Sequence, residues 1–214
     1  MIGMSSITDK VADTLFLSGC LNFGSFKIKS GAISPYYIDL ARLLSSPKQF
    51  CLLADLAAEH VKQILVSERI DKLASIELKG ALIVPSIACK LNLPCIIVRK
   101  KEKSYGVTGR FAGADLVKGD NVLFFDDVIS EGLSKIEGIK PLQTLGGNVR
   151  HVLVVVNREQ GGKENLEKLG FQVHALAKIT DIANSLYHSN RISKEQADDV
   201  LDFVKKFQEA KNTN

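Results

Sequence analysis

Short apolar runs alternate with amphipathic stretches along most of the chain. Helical periodicity predicts helices near residues 80–91, 133–145 and 162–169. Five segments are predicted as strands: KLASIE, PCIIVR, NVLFFD, HVLVVVN and FQVHALA. Two of them contain the runs VLFFD and VLVVVN, which are apolar nearly throughout, as is typical of parallel strands covered on both faces. This alternation favours an α/β fold, a doubly wound and mostly parallel sheet flanked by helices, as one domain over residues 1–214.

The pattern differs in residues 1–45, which we predict to be a separate N-terminal segment ahead of an α/β core at 46–214. ITDKVADTLFLSGCL has helical periodicity, whereas FGSFKIKSGAISPYYIDL alternates and is punctuated by glycine and proline, which predicts a short hairpin. Ser46 and Pro47 suit the cap and first turn of the helix that follows. KEQADDVLDFVKKFQEA predicts an amphipathic closing helix.

Composition excludes several classes of protein. With 214 residues, 45% of them hydrophobic, the chain can bury a full core without disulfides. The four cysteines and four histidines lack the paired spacing of a zinc framework, and we expect reduced thiols. No apolar run reaches the ~20 residues of a membrane span, and the N-terminus lacks a signal-peptide pattern. We therefore expect a cytoplasmic protein without membrane contact.

The net charge of +4 is concentrated in one segment, residues 99–110, which holds five basic residues and one acid. No basic helix or aromatic-interleaved strand accompanies this segment, so a nucleic-acid partner is not expected. Taken alone, such a run is more often a solvated surface loop.

Two adjacent acids, Asp126 and Asp127, end the NVLFFD run and precede a turn of small residues. Backbone N–H groups of such a turn, beside a helix N-terminus, can bind phosphate, and the acids can hold ribose hydroxyls or a metal. The alternative is that Asp127 or Ser130 only caps the helix.

Three loops are expected to meet at one site. In open α/β sheets, ligands bind beyond the carboxyl ends of the strands. We therefore predict that the loops at 78–81, 99–113 and 126–134 converge there.

Four segments, taken together and in order, resemble the motifs of the orotate phosphoribosyltransferases, which belong to the type I phosphoribosyltransferases. VLFFDDVISEGLS is similar to the binding signature for 5-phospho-α-D-ribosyl 1-diphosphate (PRPP), and FGSFKIKSGAISPYYID to the family's N-terminal pattern. VRKKEKSYG resembles the mobile catalytic loop, and NREQGG resembles an Asp-Arg-x-x-Gly-Gly segment. The resemblance covers most of the chain, from about residue 15 to about residue 188.

The resemblance implies a type I phosphoribosyltransferase fold with residues 1–45 as a small base-binding hood. It implies transfer of the phosphoribosyl group from PRPP to orotate, giving orotidine 5′-monophosphate and pyrophosphate in pyrimidine (UMP) biosynthesis. It further implies Mg²⁺ held mainly by PRPP, without a dedicated protein site. A homodimer with shared active sites is also implied, in which the loop bearing Lys103 reaches the neighbouring site.

The family's residue roles carry over to matching positions of this chain. The resemblance implies Lys103, Arg99 and Asp127 as catalytic residues. It implies that contacts to PRPP or pyrophosphate come from these three and from Lys79, Lys100, Tyr105, Asp126, Ser130, Glu131, Gly132, Leu133 and Ser134. For orotate it implies binding by Lys29, Tyr36, Tyr37, Ser130 and Arg158. Cations suit a departing pyrophosphate, and a guanidinium fork suits a carboxylate. Plainer roles remain open: a turn lysine for Lys79, core packing for the tyrosines and a strand-end ion pair for Arg158.

The phosphate turn departs from the family pattern. Where relatives carry Thr-x-Gly-Thr or Thr-x-Gly-Ser, this chain reads Ser130-Glu131-Gly132-Leu133. A lost hydroxyl bond to a charged phosphate costs about 1.5–3 kcal/mol. A carboxylate ~6 Å from a dianionic phosphate adds roughly 1–5 kcal/mol of repulsion, depending on the dielectric. Asn157 also replaces the aspartate that precedes the arginine.

Two hypotheses follow from these departures. The first is an active orotate phosphoribosyltransferase with an atypical phosphate turn. The second is a catalytically weakened family member that binds PRPP, orotate or a nucleotide as a regulatory protein. The retained basic loop favours the enzyme, since a sensor has less need of a lid over leaving pyrophosphate. Transfer to another base is less expected because Arg158 and Lys29 suit an acidic pyrimidine.

Overall fold

The N-terminal part of the chain forms a helix and a hairpin, as predicted. The computed structural model describes residues 6–28, 31–103 and 109–212, with side chains for all of these except 102–103 and 210–212. The elements are α1 (Ile7–Leu17), β1 (Leu21–Lys27), β2 (Ile33–Ile38), a 3₁₀ helix (Leu40–Ser45) and α2 (Pro47–Leu65). β1 and β2 pair antiparallel in a two-stranded sheet of their own. Ser6 and Asp9 form a capping box that fixes the start of α1.

A six-stranded sheet forms the centre of the rest of the chain. Its strands are β3 (Lys72–Ile76), β4 (Cys95–Lys103), β5 (Gly109–Gly113), β6 (Asn121–Ile129), β7 (Asn148–Asn157) and β8 (Gln172–Lys178). They lie in the order β5-β4-β3-β6-β7-β8, and every neighbouring pair is parallel except β4 and β5. The prediction of a mostly parallel sheet is confirmed.

Helices cover both faces of this sheet, which accounts for the apolar character of its central strands. They are α3 (Lys79–Leu91), α4 (Leu133–Thr144), α5 (Gly162–Lys168), α6 (Ile179–His188) and α7 (Lys194–Asn212). Along β6, Leu123 and Phe125 join the core under α1, α2, α3, α6 and α7. Val122 and Phe124 point to the opposite face and join the core under α4 and α5. Since both faces of β6 are buried, its sequence does not alternate between polar and apolar residues.

Three elements were not predicted, namely the 3₁₀ helix at Leu40–Ser45, strand β5 and helix α6, and one predicted loop is wrong in extent. Helix α6 follows β8 without a connecting loop, and for this reason it was missed. Its buried residues Ile179, Ile182 and Leu186 do have helical spacing. The segment 99–113, predicted as loop, is strand at both ends, because β4 continues to Lys103 and β5 begins at Gly109. Charged residues are tolerated there because the two strands form an antiparallel ribbon at the edge of the sheet.

No helix in the described part of the chain is both long and apolar enough to cross a membrane.

A cluster of three histidines lies between α2 and the strands β7 and β8. Nδ1 of the buried His151 is 3.1 Å from Nε2 of His174, and the rings of His60 and His174 are 5.4 Å apart. Burial lowers the pKa of His60 and of His151. Burial, followed by the charges of the other two histidines, lowers the pKa of His174 to about 4. The folded state therefore favours the neutral form of all three imidazoles.

We expect this cluster to make the protein less stable in mild acid. Because the pKa values are depressed in the folded state, the unfolded chain binds more protons below the ordinary histidine pKa of about 6.5. The stability that the neutral histidine cluster contributes is fully present above that pH and is lost as the pH falls toward 4. A His174→Gln variant should show a smaller drop in melting temperature between pH 7 and pH 5 than the wild type, whereas His188→Gln, at an exposed position, should keep the wild-type drop. Equal drops in all three proteins would contradict the assignment.

Candidate active site

A cleft of about 720 Å³ opens at the carboxyl ends of β3, β6 and β7. Residues of the predicted loops at 78–81 and 126–134 line it, and of the segment 99–113 Lys100 takes part. Ten of the predicted site residues line the cleft: Lys79, Lys100, Asp126, Asp127, Ser130, Glu131, Gly132, Leu133, Ser134 and Arg158. The predicted meeting of loops beyond the sheet is confirmed for the loops at 78–81 and 126–134 and for Lys100 among the described residues of the basic segment.

The two adjacent acids near the end of β6 are both buried but have different surroundings. Asp126 is 5% exposed, and its Oδ1 accepts a hydrogen bond from the backbone N–H of Asp127 at 3.0 Å. Asp127 is 8% exposed, and burial, followed by the charge of Asp126, raises its pKa to about 6. Lys135 and Lys79 lower that pKa but do not cancel the rise. Asp127 is therefore protonated more readily than an ordinary aspartate.

A buried lysine neutralises the first acid. Nζ of Lys135, in the first turn of α4, lies 2.7 Å from Oδ2 of Asp126, and Lys135 as a whole is 4% exposed. The same ammonium donates hydrogen bonds to the carbonyl of Val128 and, at 3.2 Å, to Oγ of Ser134. Because Asp126 is held by Lys135, Asp127 is the acid of the pair that remains for a ligand.

The turn between β6 and α4 has the backbone of a phosphate-binding turn. Gly132 has φ +92°, a left-handed conformation that a side chain would strain, and it precedes the first turn of α4. The side chains of Glu131 and Leu133 are exposed, Leu133 at 74%. Glu131 makes no salt bridge to any described residue. Its carboxylate therefore lies in solvent at the mouth of the cleft, which sequence alone could not determine.

Two glycines explain how the motifs fit together. A Cβ on Gly162, in the NREQGG segment, would lie 2.8 Å from the backbone nitrogen of Gly132 and would also collide with the carbonyl of Ser130. A Cβ on Gly80, in the first turn of α3, would lie 2.6 Å from Oδ1 of Asp126. Both positions need glycine because two backbones approach closely at the cleft.

Lys79 enters the cleft from the start of α3. Its Nζ forms a 3.0 Å salt bridge with Oδ1 of Asp39, which follows the N-terminal hairpin, and lies 5.9 Å from the centre of the Tyr37 ring. Burial disfavours the ammonium, but the hydrogen bond to Asp39 and the charges of Asp127 and Asp39 outweigh burial and raise the pKa of Lys79. Lys79 is thus a fixed positive charge that links the hairpin to the acid pair.

The backbone of Lys100, in the second half of β4, is held by a hydrogen bond. The backbone N–H of Lys100 donates to Oε2 of Glu77 at 3.2 Å, which ties the end of β4 to the end of β3. The lysine lies on the rim of the cleft as a second cation.

Arg158 is held in place over a buried tyrosine. Its Nε donates to the hydroxyl of Tyr36 at 3.2 Å, its Nη1 donates to Oγ of Ser130 at 3.4 Å, and the guanidinium carbon is 5.0 Å from the centre of the Tyr36 ring. Within the described chain, Nη2 makes no hydrogen bond. The guanidinium is therefore oriented by two hydroxyls and keeps donors for an anion in the cleft.

Asn157 fixes the turn that carries this arginine. Its side chain is 4% exposed, and Oδ1 accepts a hydrogen bond from the backbone N–H of Glu159 at 2.8 Å. An aspartate could accept the same bond, so this replacement leaves the local backbone interaction intact.

Several predicted residues lie elsewhere or outside the described chain. Arg99 donates from Nη1 to the carbonyl of Gly109 at 2.8 Å and is not among the residues that line the cleft. Tyr37 is 45% exposed on the hairpin and is likewise outside that lining set. Lys29, Tyr105 and the side chain of Lys103 lie outside the described residues, and their roles stay predictions.

Lys135, Gln160 and Phe207 are among the eight residues that line the cleft and that sequence reasoning missed. Lys135 follows Ser134 directly, and a lysine in the first turn of a helix behind two acids could have indicated an internal ion pair. Gln160 is 4% exposed and lies inside the NREQGG motif. Phe207 belongs to the apolar stripe of α7, where core packing is the usual reading.

The arrangement suits an anionic ligand. The cleft combines a backbone turn for phosphate, the cations Lys79 and Lys100, the carboxylate of Asp127 and the Arg158 fork, which contacts the turn at Ser130. Such fixed charges can stabilise negative charge that develops during bond cleavage.

The chain is similar to orotate phosphoribosyltransferases in both sequence and structure. No protein-family model matches it. The orotate phosphoribosyltransferase of Pyrococcus horikoshii is 36% identical over 189 residues, 88% of this chain and 98% of that relative. The crystal structure of the orotate phosphoribosyltransferase from Aeropyrum pernix is 30% identical, with a TM-score of 0.73 over 82% of this chain and 97% of that one. Leishmania donovani UMP synthase is 32% identical, with a TM-score of 0.82 over 93% of this chain, which spans 42% of that longer chain.

Proposed function

We infer that this chain, which belongs to the orotate phosphoribosyltransferase family, transfers the phosphoribosyl group of PRPP to orotate and releases pyrophosphate. The product would be orotidine 5′-monophosphate, an intermediate of pyrimidine biosynthesis. The observation that carries the assignment is the placement of Arg158, Asp127 and the phosphate turn along one cleft. No observation favours the alternative of a non-catalytic regulatory protein.

Each part of the cleft has a task in this reaction. The backbone of the turn at 130–134 would bind the 5′-phosphate of PRPP, with the hydroxyl of Ser134 replacing the one that Leu133 lacks. Asp127 would accept hydrogen bonds from ribose hydroxyls. Lys79 and Lys100 would balance the charge that builds on pyrophosphate as its bond to the ribose breaks.

The orotate end uses a rigid cation. Orotate is a planar anion, and Arg158, oriented by Tyr36 and Ser130, would bind its carboxylate with a fork of two N–H groups. The ring would then lie with a nitrogen toward the ribose carbon, and positioning of the two reactants lowers the barrier.

Magnesium is proposed to enter with PRPP. Mg²⁺ prefers oxygen ligands and keeps several waters and substrate phosphates, and it would neutralise part of the pyrophosphate charge. Among the described residues, no cluster of three His, Cys, Asp or Glu side chains could hold a metal ion. Asp127 fits such a weakly held ion, because its partner Asp126 is already engaged by Lys135.

The wider organisation is also a proposal. Residues 1–214 would act as one cytoplasmic domain, with the hood at 1–45 over the base and the core at 46–214. Two copies would form a homodimer in which Lys103, aided by Arg99 and Tyr105, reaches the partner's site, and Lys29 and Tyr37 would complete the orotate pocket. The end of β4 at Lys103, close along the strand to Lys100 on the cleft rim, supports a basic loop that starts beside the site.

The experiment that tests this function mixes the purified protein with PRPP, Mg²⁺ and orotate and follows the loss of orotate absorbance in the near ultraviolet. Turnover is expected with orotate and not with uracil, which differs by lacking the carboxylate that Arg158 would bind. A folded protein that is inactive in this direction, and also with orotidine 5′-monophosphate and pyrophosphate, would overturn the proposal.

Removing the charge of Glu131 should strengthen PRPP binding. At ~6 Å in a dielectric near that of water, one carboxylate repels a dianion by roughly 1.4 kcal/mol. Glu131→Gln should therefore lower the KM for PRPP up to about tenfold at low ionic strength, with a smaller effect at high salt. Glu137→Gln, on the exposed side of α4, is the matched control and should leave it unchanged. An unaltered KM for PRPP in Glu131→Gln at low salt would mean that this carboxylate does not face the phosphate.

A further inference from the structure

We propose that helix α7 supplies a wall of the orotate pocket through Phe207, which acts as a specificity-determining residue. This inference rests on the proposed function and adds to it a contribution from the C-terminal helix. Phe207 lines the same cleft as Arg158, Gln160 and Ile28.

A series of ring contacts places Phe207 at the Arg158 end of the cleft. The ring of Phe203, one helical turn earlier in α7, is 5.1 Å from the ring of Phe207. Phe203 also meets the ring of Tyr36 edge-on, with centroids 5.9 Å apart and planes at 88°. Tyr36 in turn accepts the hydrogen bond from Nε of Arg158. Phe207 thus belongs to the aromatic group that underlies the proposed carboxylate-binding arginine.

The chemistry of orotate calls for an apolar surface here. Its carboxylate and ring heteroatoms form a polar edge, whereas the two faces of the ring are apolar and stack well on aromatic side chains. The hydrogen-bonding groups at this end, on Arg158, Ser130 and Gln160, can serve the edge but not a face. Phe207 is only half-buried and has no polar atom, so a ring bound beside it would cover its remaining exposed surface.

A purely structural role for Phe207 makes a different prediction. If the side chain only packs α7 against the hairpin strand β2, its loss should lower stability and affect both substrates to a similar extent. If it forms the pocket wall, its loss should act on orotate and not on PRPP, because the phosphate turn lies on other elements.

The test compares Phe207→Ala, Phe207→Tyr and the neighbouring exposed variant Lys206→Ala in steady-state assays and in thermal unfolding. We expect Phe207→Ala to raise the KM for orotate about tenfold, while the KM for PRPP stays within about twofold of the wild type. Phe207→Tyr, which keeps the ring, should restore orotate binding, and Lys206→Ala should behave as the wild type. Proportional changes in both KM values, or no change for orotate, would overturn the role of Phe207.

Binding measurements separate this inference from the function it rests on. Calorimetric titration of orotidine 5′-monophosphate into the wild type and Phe207→Ala should show the same loss of about tenfold in affinity. If the wild type is active and Phe207→Ala binds and turns over orotate equally well, only the proposed role of Phe207 is overturned. A wild type without turnover would overturn the proposed reaction, and the titration would still decide whether Phe207 contacts the pyrimidine.

Discussion

Replacing Lys135 by methionine is expected to lower the free energy of unfolding by about 3–5 kcal/mol at pH 7. The ammonium is buried with Asp126 at 2.7 Å, and its loss leaves a carboxylate uncompensated in the interior. Methionine fills a similar volume, so the change removes the charge with little loss of packing. Urea unfolding followed by circular dichroism measures the effect.

A double-mutant cycle isolates the ion pair from the side chain. Adding Asp126→Asn to Lys135→Met removes the orphaned charge, and the double variant should be more stable than the Lys135→Met single variant. Lys140→Met, on the exposed side of the same helix, should change stability by less than about 0.5 kcal/mol. Strictly additive losses in the cycle would show that Lys135 stabilises the fold by some means other than Asp126.

Replacing Arg158 by alanine is expected to reduce kcat/KM for orotate by roughly 100- to 1,000-fold. Truncating one partner of a desolvated, hydrogen-bonded charge pair costs about 2–5 kcal/mol, and the orotate carboxylate would lose its fixed partner. Steady-state assays with orotate varied at saturating PRPP measure the loss. The variant should remain folded because the ring of Tyr36, on which Arg158 lies, stays buried in the core.

The matched variants test whether the planar fork is what matters. Arg158→Lys keeps the charge but loses the two parallel N–H donors, so it should recover only a small part of the activity. Arg150→Ala, at an exposed position on β7, the strand that ends just before Arg158, should retain full activity. If Arg158→Ala and Arg150→Ala had similar kcat/KM values, another residue would have to bind the orotate carboxylate.

The fold was largely predictable because the strongest physical signal in it is local. A strand buried on both faces must be apolar throughout, and NVLFFD and HVLVVVN satisfy that condition within a few residues. The edge strand β5 had no such signal, because an exposed edge tolerates the charged and glycine residues of GRFAG. Helix α6 was missed because it begins where β8 ends, without a turn to mark the boundary.

The candidate site was predictable where neighbouring site residues lie in one sequence motif. It was not predictable where the fold brings together residues from distant parts of the chain. Asp127 and Ser130 lie in one segment, so the sequence showed them together. The contact of Phe207 with the cleft depends on how α7 crosses the hairpin, which no local pattern encodes. The direction of Glu131 likewise depends on the backbone of Gly132, whose left-handed conformation turns the chain at that point.

The close approach of Gly162 to the turn at Ser130 has an evolutionary consequence. Any side chain at 162 would push apart the segment that carries the phosphate turn and the segment that carries Arg158, and Ser130 itself contacts that arginine. The half-sites for the two substrates are therefore coupled through their backbones, since a shift in one backbone alters the other. Substitutions such as Glu131 and Leu133 could accumulate because they change side chains that point to solvent and leave the shared backbone contact untouched.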